Sequence, residues 1–255
     1  MRRSPIRLFA LACALAMPVA APALAADPAP APSASPDVEA QIGARVYAAL
    51  QSKGELLTTS PLYTVTDPLT AQIKRVADPQ YEHPFRFLIV HEEQSRAFAV
   101  PGGNVYLSDT LVRATSNRDE LAGVMCRETA YTIDHDAVNL ANDGAQSQSY
   151  SMGDLVANIF SGGRGAHADN EQERYDAGSV HFSQSVQFAA DAKGAEICAA
   201  AGFNPWGSVW QLQTAGGYNS GARISALTAA LNGDHARYGR YPSTLDRKAA
   251  TAAKG

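Results

Sequence analysis

Cysteine is scarce in this chain of 255 residues: there are three, and one of them, Cys13, lies within the first 25 positions. The remaining two, Cys126 and Cys198, are too few for a small fold stapled by disulfides or for a zinc site built from thiolates. An exported protein could pair them, whereas their apolar neighbours favour buried thiols. The sequence leaves both possibilities open.

Positive charge is also in deficit. The chain has 21 Lys and Arg residues against 25 Asp and Glu, and its formal net charge is −4. Three of the basic residues, Arg2, Arg3 and Arg7, fall in the first 25 residues, which contain no acid. The rest of the chain is therefore more acidic still, which argues against nucleic acid or an anionic membrane as the main partner.

Long apolar runs are missing beyond the N-terminus, so we expect no transmembrane segment in the mature chain. Residues 8–25 are rich in Ala and Leu, follow the arginines and end in the small-residue pattern A-L-A. This arrangement predicts a secretory signal peptide over residues 1–25 and a periplasmic location. The alternative is an N-terminal membrane anchor, but Pro18, Pro22 and the small-residue end favour cleavage.

Residues 26–36 are rich in Pro, Ala and Ser and predict a semi-rigid linker that leads into one domain over residues 37–255. Apolar spacing predicts helices over residues 37–52, 69–77, 108–114, 117–142, 181–201, 206–214, 222–231 and 243–253. Short β-rich runs are predicted at 85–91, 97–100 and 104–107, the last two as a hairpin around a P-G-G turn. The glycines of residues 162–165 predict a loop. The predicted fold class is therefore α+β, mostly helical with one small sheet.

Four segments match a single known pattern in the right order. They are A-F-A-V-P-G-G (97–103), D-E-L-A-G-V with R-E-T-A-Y (119–131), A-A-D-x-x-G with A-G-F-x-P (189–205) and Y-P-S-T-x-x-R (241–247). The chain thus resembles gluzincin-type metallopeptidases of the HtpX and CAAX-prenyl-protease family, above all their soluble periplasmic members. The resemblance implies a zincin-like fold in which the strand before P-G-G borders the substrate groove.

The same resemblance implies zinc chemistry, but this chain departs from it at the metal. In the family, two histidines of H-E-x-x-H and a later glutamate hold zinc, and the Glu beside the first His acts as general base. Here Arg127 and Tyr131 stand at the two His positions, Ala189 at the Glu-ligand position, and Tyr241 at a downstream His. Only Glu128, at the general-base position, is kept. An arginine stays protonated and an alanine has no donor, so we expect no metal cofactor.

The remaining candidate residues come from the same comparison. Those expected to border a peptide-binding groove are Ala97, Phe98, Ala99, Val100, Tyr131 and Tyr241, and those expected to support the site from behind are Asp191 and Arg247. Arg127 could pair with Glu128 or Asp191, which would place a guanidinium where the cation stood. The other histidines are scattered. His135, seven residues after Glu128 on the same predicted helix, would share a helix face with it but lie ~10 Å away along the axis.

Two functions follow from these expectations. The first is an exported pseudopeptidase that binds a polypeptide or an envelope protein without cutting it, in envelope protein quality control. The second is an active metalloendopeptidase whose zinc is held at a site that the motif does not show; the scaffold and Glu128 support it. A purely structural envelope protein is the third possibility.

Overall fold

The computed structural model describes residues 36–139, 182–216 and 219–239. The helices are α1 (Pro36–Ser52), α2 (Tyr63–Ala77), α3 (Asp109–Ala114), α4 (Arg118–Ile133), α5 (Gln184–Ala201), α6 (Trp206–Ala215), α7 (Ser220–Gly233) and the four-residue α8 (His235–Tyr238). The strands are β1 (Arg86–Val90), β2 (Ala97–Val100) and β3 (Asn104–Ser108). The expected α+β class, mostly helical with one small sheet, is confirmed. The signal peptide, the linker up to residue 35, the loop at 162–165 and the helix at 243–253 lie outside the described residues.

The sheet has the strand order β1-β3-β2. Strand β1 runs parallel to β3, and β2 runs antiparallel to it, with Ala97 opposite Leu107 and Val100 opposite Asn104. The hairpin predicted around the P-G-G turn is confirmed. Gly102 has a φ of 89° and packs against α1, where an added Cβ would lie 2.7 Å from the Glu39 carbonyl oxygen. A glycine is needed there both for the left-handed backbone and for the close approach.

The sheet separates two apolar clusters, because successive side chains of a strand point to opposite faces. One face packs on α2, α4 and α5 and receives Ala97 and Ala99 from β2. The other face packs on α1 and receives Phe98 and Val100. A third cluster joins α5, α6 and α7 around Trp206 and Trp210.

Helix α4 is the central element of the first cluster. Asn117 caps its start, since the side-chain oxygen accepts hydrogen bonds from the backbone N–H groups of Asp119 and Glu120, both at 3.0 Å. α4 is buried against β2 on one side and against α5 and α6 on others. No described helix is both long and apolar enough to cross a bilayer.

The predicted helix over residues 117–142 is too long, because α4 ends at Ile133. His135 has a φ of 55° and interrupts the helix before residues 136–139 become helical again. Its Nδ1 lies 2.7 Å from Oε1 of the buried Glu39 of α1, and the hydroxyl of Tyr81 donates to the other carboxylate oxygen. This tertiary pairing keeps the backbone of His135 out of the helical conformation. The expectation that His135 shares a helix face with Glu128 is therefore wrong.

Helix α2 begins earlier than predicted, at Tyr63 rather than residue 69, and contains Pro68. The turn before it is made by hydrogen bonds of the i to i−3 type, such as Tyr63 N–H to the Ser60 carbonyl at 3.1 Å. The loss of one N–H at Pro68 is outweighed by the apolar face of the helix, where Leu69 and Ile73 are buried.

A pH-dependent contribution to stability arises just after α4. Burial raises the pKa of Asp136 to about 6, and the charge of Asp134 adds to the effect, while Lys193 and His135 oppose it. An acid whose folded pKa is raised favours folding in its protonated form, so stability falls as the pH rises from ~4 through about 6. We expect Asp136→Asn to raise the melting temperature at pH 7.5 and to have no effect below pH 4.

The measurement is thermal unfolding by circular dichroism from pH 3.5 to 8. Asp67→Asn, at an exposed position of α2, is the control for removing a surface carboxyl and should change stability little. A difference for Asp136→Asn that does not vary with pH would show that the carboxyl of Asp136 is not destabilised by its surroundings.

Candidate functional site

The candidate site lies along the inner side of α4, where Arg127, Glu128 and Tyr131 follow one another within about one turn. Glu128 is 5% exposed and Tyr131 8% exposed. The backbones of α4 and α5 approach closely here: a Cβ added to Gly194 of α5 would lie 2.8 Å from the Arg127 Cα. Only glycine fits at that point, so the close contact brings the side chains of both helices into one buried region.

Arg127 and Glu128 form an ion pair with each other. Nε and Nη2 of Arg127 both donate to Oε1 of Glu128, at 3.0 and 2.8 Å. The sequence analysis expected Arg127 to pair with either Glu128 or Asp191, and in the structure its partner is Glu128. The one motif residue kept from the general-base position is thus bound to a guanidinium.

Asp191 of α5 is held by a second arginine, Arg223 of α7. Nε and Nη2 of Arg223 donate to Oδ2 and Oδ1 of Asp191, at 2.8 and 2.6 Å, which is a bidentate pair. Asp191 is 3% exposed. The supporting position of Asp191 was expected, but its partner was missed, because Arg223 lies outside every motif and its only signal is a lone arginine in an Ala- and Leu-rich helix.

The two pairs are close enough to influence each other's charge. Burial raises the pKa of Glu128 and the charge of Asp191 adds to this, while Arg127 and Arg223 oppose it. Burial by itself would lower the pKa of Arg127, but the negative charges of Glu128 and Asp191 outweigh burial, and the pKa is raised. The guanidinium is therefore a permanent positive charge between the helices.

Tyr131 occupies the second histidine position with its ring stacked on Phe182, at a centroid distance of 4.4 Å and an interplanar angle of 17°. Burial raises the pKa of its hydroxyl, so the phenol stays neutral. Tyr131 thus fills space beside the start of α5 rather than offering an anionic oxygen. Phe98 and Val100, expected to border the same groove as Tyr131, lie on the opposite face of the sheet.

Ala189 does not lie where the resemblance places a metal ligand. It is exposed, and at ~100° per residue it falls on the side of α5 opposite Asp191. One turn before Asp191, on the same side of α5, is Gln187, whose Nε2 donates to the Phe182 carbonyl at 2.8 Å. The expected third-ligand position, Ala189, therefore does not share the side of α5 that carries Asp191, and the residue that does is a neutral amide.

These side chains do not fit zinc. Structural and catalytic zinc sites take thiolate, imidazole or carboxylate donors, and the site offers a guanidinium, a neutral phenol, an amide and two carboxylates already paired with arginines. Among the residues that the structure describes, no three His, Cys, Asp or Glu side chains are grouped so as to hold a metal ion. Tyr241 and Arg247 lie outside the described residues.

Comparison with known proteins identifies the family. The sequence profile of Peptidase family M48 matches residues 64–238, which include α4, α5 and α7. The chain belongs to peptidase family M48. The expected resemblance to gluzincin-type metallopeptidases is thereby confirmed.

Curated relatives of this M48 member include the "Beta-barrel assembly-enhancing protease" of Yersinia pestis, 28% identical over 157 residues. The protein of the same name from Escherichia coli K12 is 26% identical over 163 residues. The matches cover 58% and 59% of this chain but 31% and 33% of the relatives. The matched region thus spans about a third of the length of these relatives.

The Asp191–Arg223 pair should be essential to stability, because removing one partner leaves a buried charge uncompensated. We expect Arg223→Ala to lower the free energy of unfolding by about 3–5 kcal/mol. The measurement is urea unfolding followed by tryptophan fluorescence.

Arg237→Ala is the matched control. Arg237 also pairs with an acid of α5, Glu196, at 3.5 Å, but both side chains are 50% exposed, so its loss should cost less than about 1 kcal/mol. Equal, small effects of the two substitutions would contradict the buried pair.

Proposed function

We propose that this chain is an exported, zinc-free pseudopeptidase of family M48 that binds extended segments of cell-envelope proteins in the periplasm without cleaving them. The observation that carries the loss of catalysis is the Arg127–Glu128 pair. A general base needs a carboxylate free to accept a proton from water. Here Oε1 of Glu128 already accepts two hydrogen bonds from a permanent cation.

Binding is supported by the open edge of β2. In the described part of the chain, β2 pairs only with β3, whereas the outer edge of β1 is partly covered by residues 55–57, with Leu57 N–H to the Ile89 carbonyl at 2.8 Å. An edge strand presents unpaired N–H and C=O groups that an extended peptide can use.

The register decides which residues of β2 present those groups. Ser108 N–H donates to the Arg96 carbonyl at 2.9 Å, so Arg96 and Ser108 face each other as a hydrogen-bonded pair. In an antiparallel ladder such pairs alternate with pairs that point away. Phe98 and Val100 therefore bond to β3, and Ala97 and Ala99 direct their backbone groups to the open edge.

A peptide added at this edge would lie beside the candidate site, because the side chains of Ala97 and Ala99 pack in the cluster that contains α4. Of the four strand residues expected to bind, these two supply the hydrogen bonds. Phe98 stacks on Tyr106 at a ring-centroid distance of 5.0 Å and contributes only to the opposite face of the sheet.

The class of partner follows from charge and from the relatives. The excess of acidic residues disfavours nucleic acid, and backbone pairing at a strand edge suits a polypeptide. The relatives named for β-barrel assembly support an envelope protein as that polypeptide.

The loss of catalysis is tested with the purified chain and labelled unfolded casein. We expect no stoichiometric zinc by elemental analysis, no casein cleavage above background, and a melting temperature that EDTA does not change, because no bound metal contributes to folding. A melting temperature that falls with EDTA and recovers with zinc would favour the active metalloendopeptidase instead, the alternative that Glu128 and the family support.

The binding edge is tested with Ala99→Pro, which removes an outward N–H without breaking the bonds to β3. We expect casein binding, followed by fluorescence anisotropy, to weaken about three- to tenfold, since one hydrogen bond is worth ~0.5–1.5 kcal/mol.

Ala99→Ser keeps the N–H and should bind as the wild type does. Phe98→Pro, which removes an N–H that points to β3, should instead lower the melting temperature. Wild-type affinity in folded Ala99→Pro would show that peptides do not add at β2.

A further inference from the structure

The two cysteines outside the N-terminal segment lie on the two helices that form the candidate site. Cys126 of α4 directly precedes Arg127, and Cys198 of α5 lies seven residues after Asp191, on the same helix face. Both are thiols and both are fully buried. Neither has a part in the function proposed above.

The helix backbones approach closely enough at this point for a covalent link. A Cβ on Gly194 would lie 3.2 Å from the carbonyl carbon of Cys126, and Cys198 is one helical turn beyond Gly194 on the same side. A disulfide needs Cα atoms about 4.4–6.8 Å apart. Two helix backbones that approach as closely as α4 and α5 do at Gly194 allow Cα atoms one turn away to meet this requirement. Cys126 and Cys198 are both members of the buried cluster between these helices.

We propose that Cys126 and Cys198 become a disulfide that cross-links α4 to α5 when the chain folds in an oxidising compartment. The partner for this reaction is a disulfide-class oxidant, either a protein disulfide or oxidised glutathione. The bond joins the same two helices that the zinc of a gluzincin would hold together. It is independent of peptide binding at β2.

The reaction is two thiol–disulfide exchanges. One cysteine thiolate attacks the donor disulfide and releases the first donor thiol, leaving a mixed disulfide. The second cysteine thiolate attacks the chain-side sulfur and releases the second donor thiol. One sulfur–sulfur bond forms in the protein and one breaks in the donor, two electrons pass to the donor, and the protons of the two cysteine thiols end on the donor thiols.

The order of events follows from burial. Burial raises the pKa of Cys126 in the folded protein, and a protonated, inaccessible thiol is not a nucleophile. The exchange therefore takes place before α4 and α5 pack together. A disulfide formed at that stage closes a loop of about 70 residues, which restricts the unfolded chain strongly.

The test compares full-length chain refolded with oxidised glutathione and the same chain refolded with dithiothreitol. Each sample is denatured, treated with maleimide and digested for mass spectrometry. We expect the oxidised sample to give a linked pair of peptides containing Cys126 and Cys198, and the reduced sample to give both peptides alkylated. The oxidised sample should melt about 10 °C higher.

The double variant Cys126→Ala, Cys198→Ala is the control and should melt at one temperature under both conditions. Full alkylation of both cysteines after oxidative refolding, with no linked peptide, would overturn the proposal. So would a linked peptide in which either cysteine is joined to Cys13 instead.

Discussion

The close approach of α4 and α5 at Gly194 is the constraint on which the site depends. Any larger side chain at that position would push the helices apart, since its Cβ alone would contact the Arg127 backbone at 2.8 Å. With the helices in contact, the charge of Asp191 acts on Glu128, and Cys126 and Cys198 pack in one buried cluster. The arrangement is a matter of backbone packing between α4 and α5.

Electrostatics explain how the site tolerates two buried carboxylates. Asp191 pairs with Arg223 of α7, and Glu128 pairs with Arg127, the residue that precedes it. A buried carboxylate that lacks a partner is costly, and a bidentate guanidinium is the side chain best suited to supply one. Two arginines thus neutralise the negative charge that a metal ion would otherwise balance.

The sequence predicted the elements better than the contacts between them. Local signals were sufficient for the P-G-G hairpin, the start of α4 near residue 117 and the fold class, because each depends on neighbouring residues. They were insufficient at His135, where a partner 96 residues away ends the helix, and at Arg223, whose pairing depends on how α7 packs. Ala189 was misplaced because a motif match aligns letters, whereas only helix geometry shows which side of α5 a residue occupies. The register of β2 likewise required the partner strand.

Strand β2 has only four residues, and under the proposed function this shortness sets how long a bound peptide can stay. Two outward N–H and two outward C=O groups, from Ala97 and Ala99, allow about four hydrogen bonds, each worth ~0.5–1.5 kcal/mol net. Backbone pairing alone then gives dissociation constants from tens of micromolar to beyond millimolar. Segments held so weakly leave within a fraction of a second at ordinary association rates. The proposed pseudopeptidase needs that property, because a chain that does not cleave its bound peptide releases it only by dissociation.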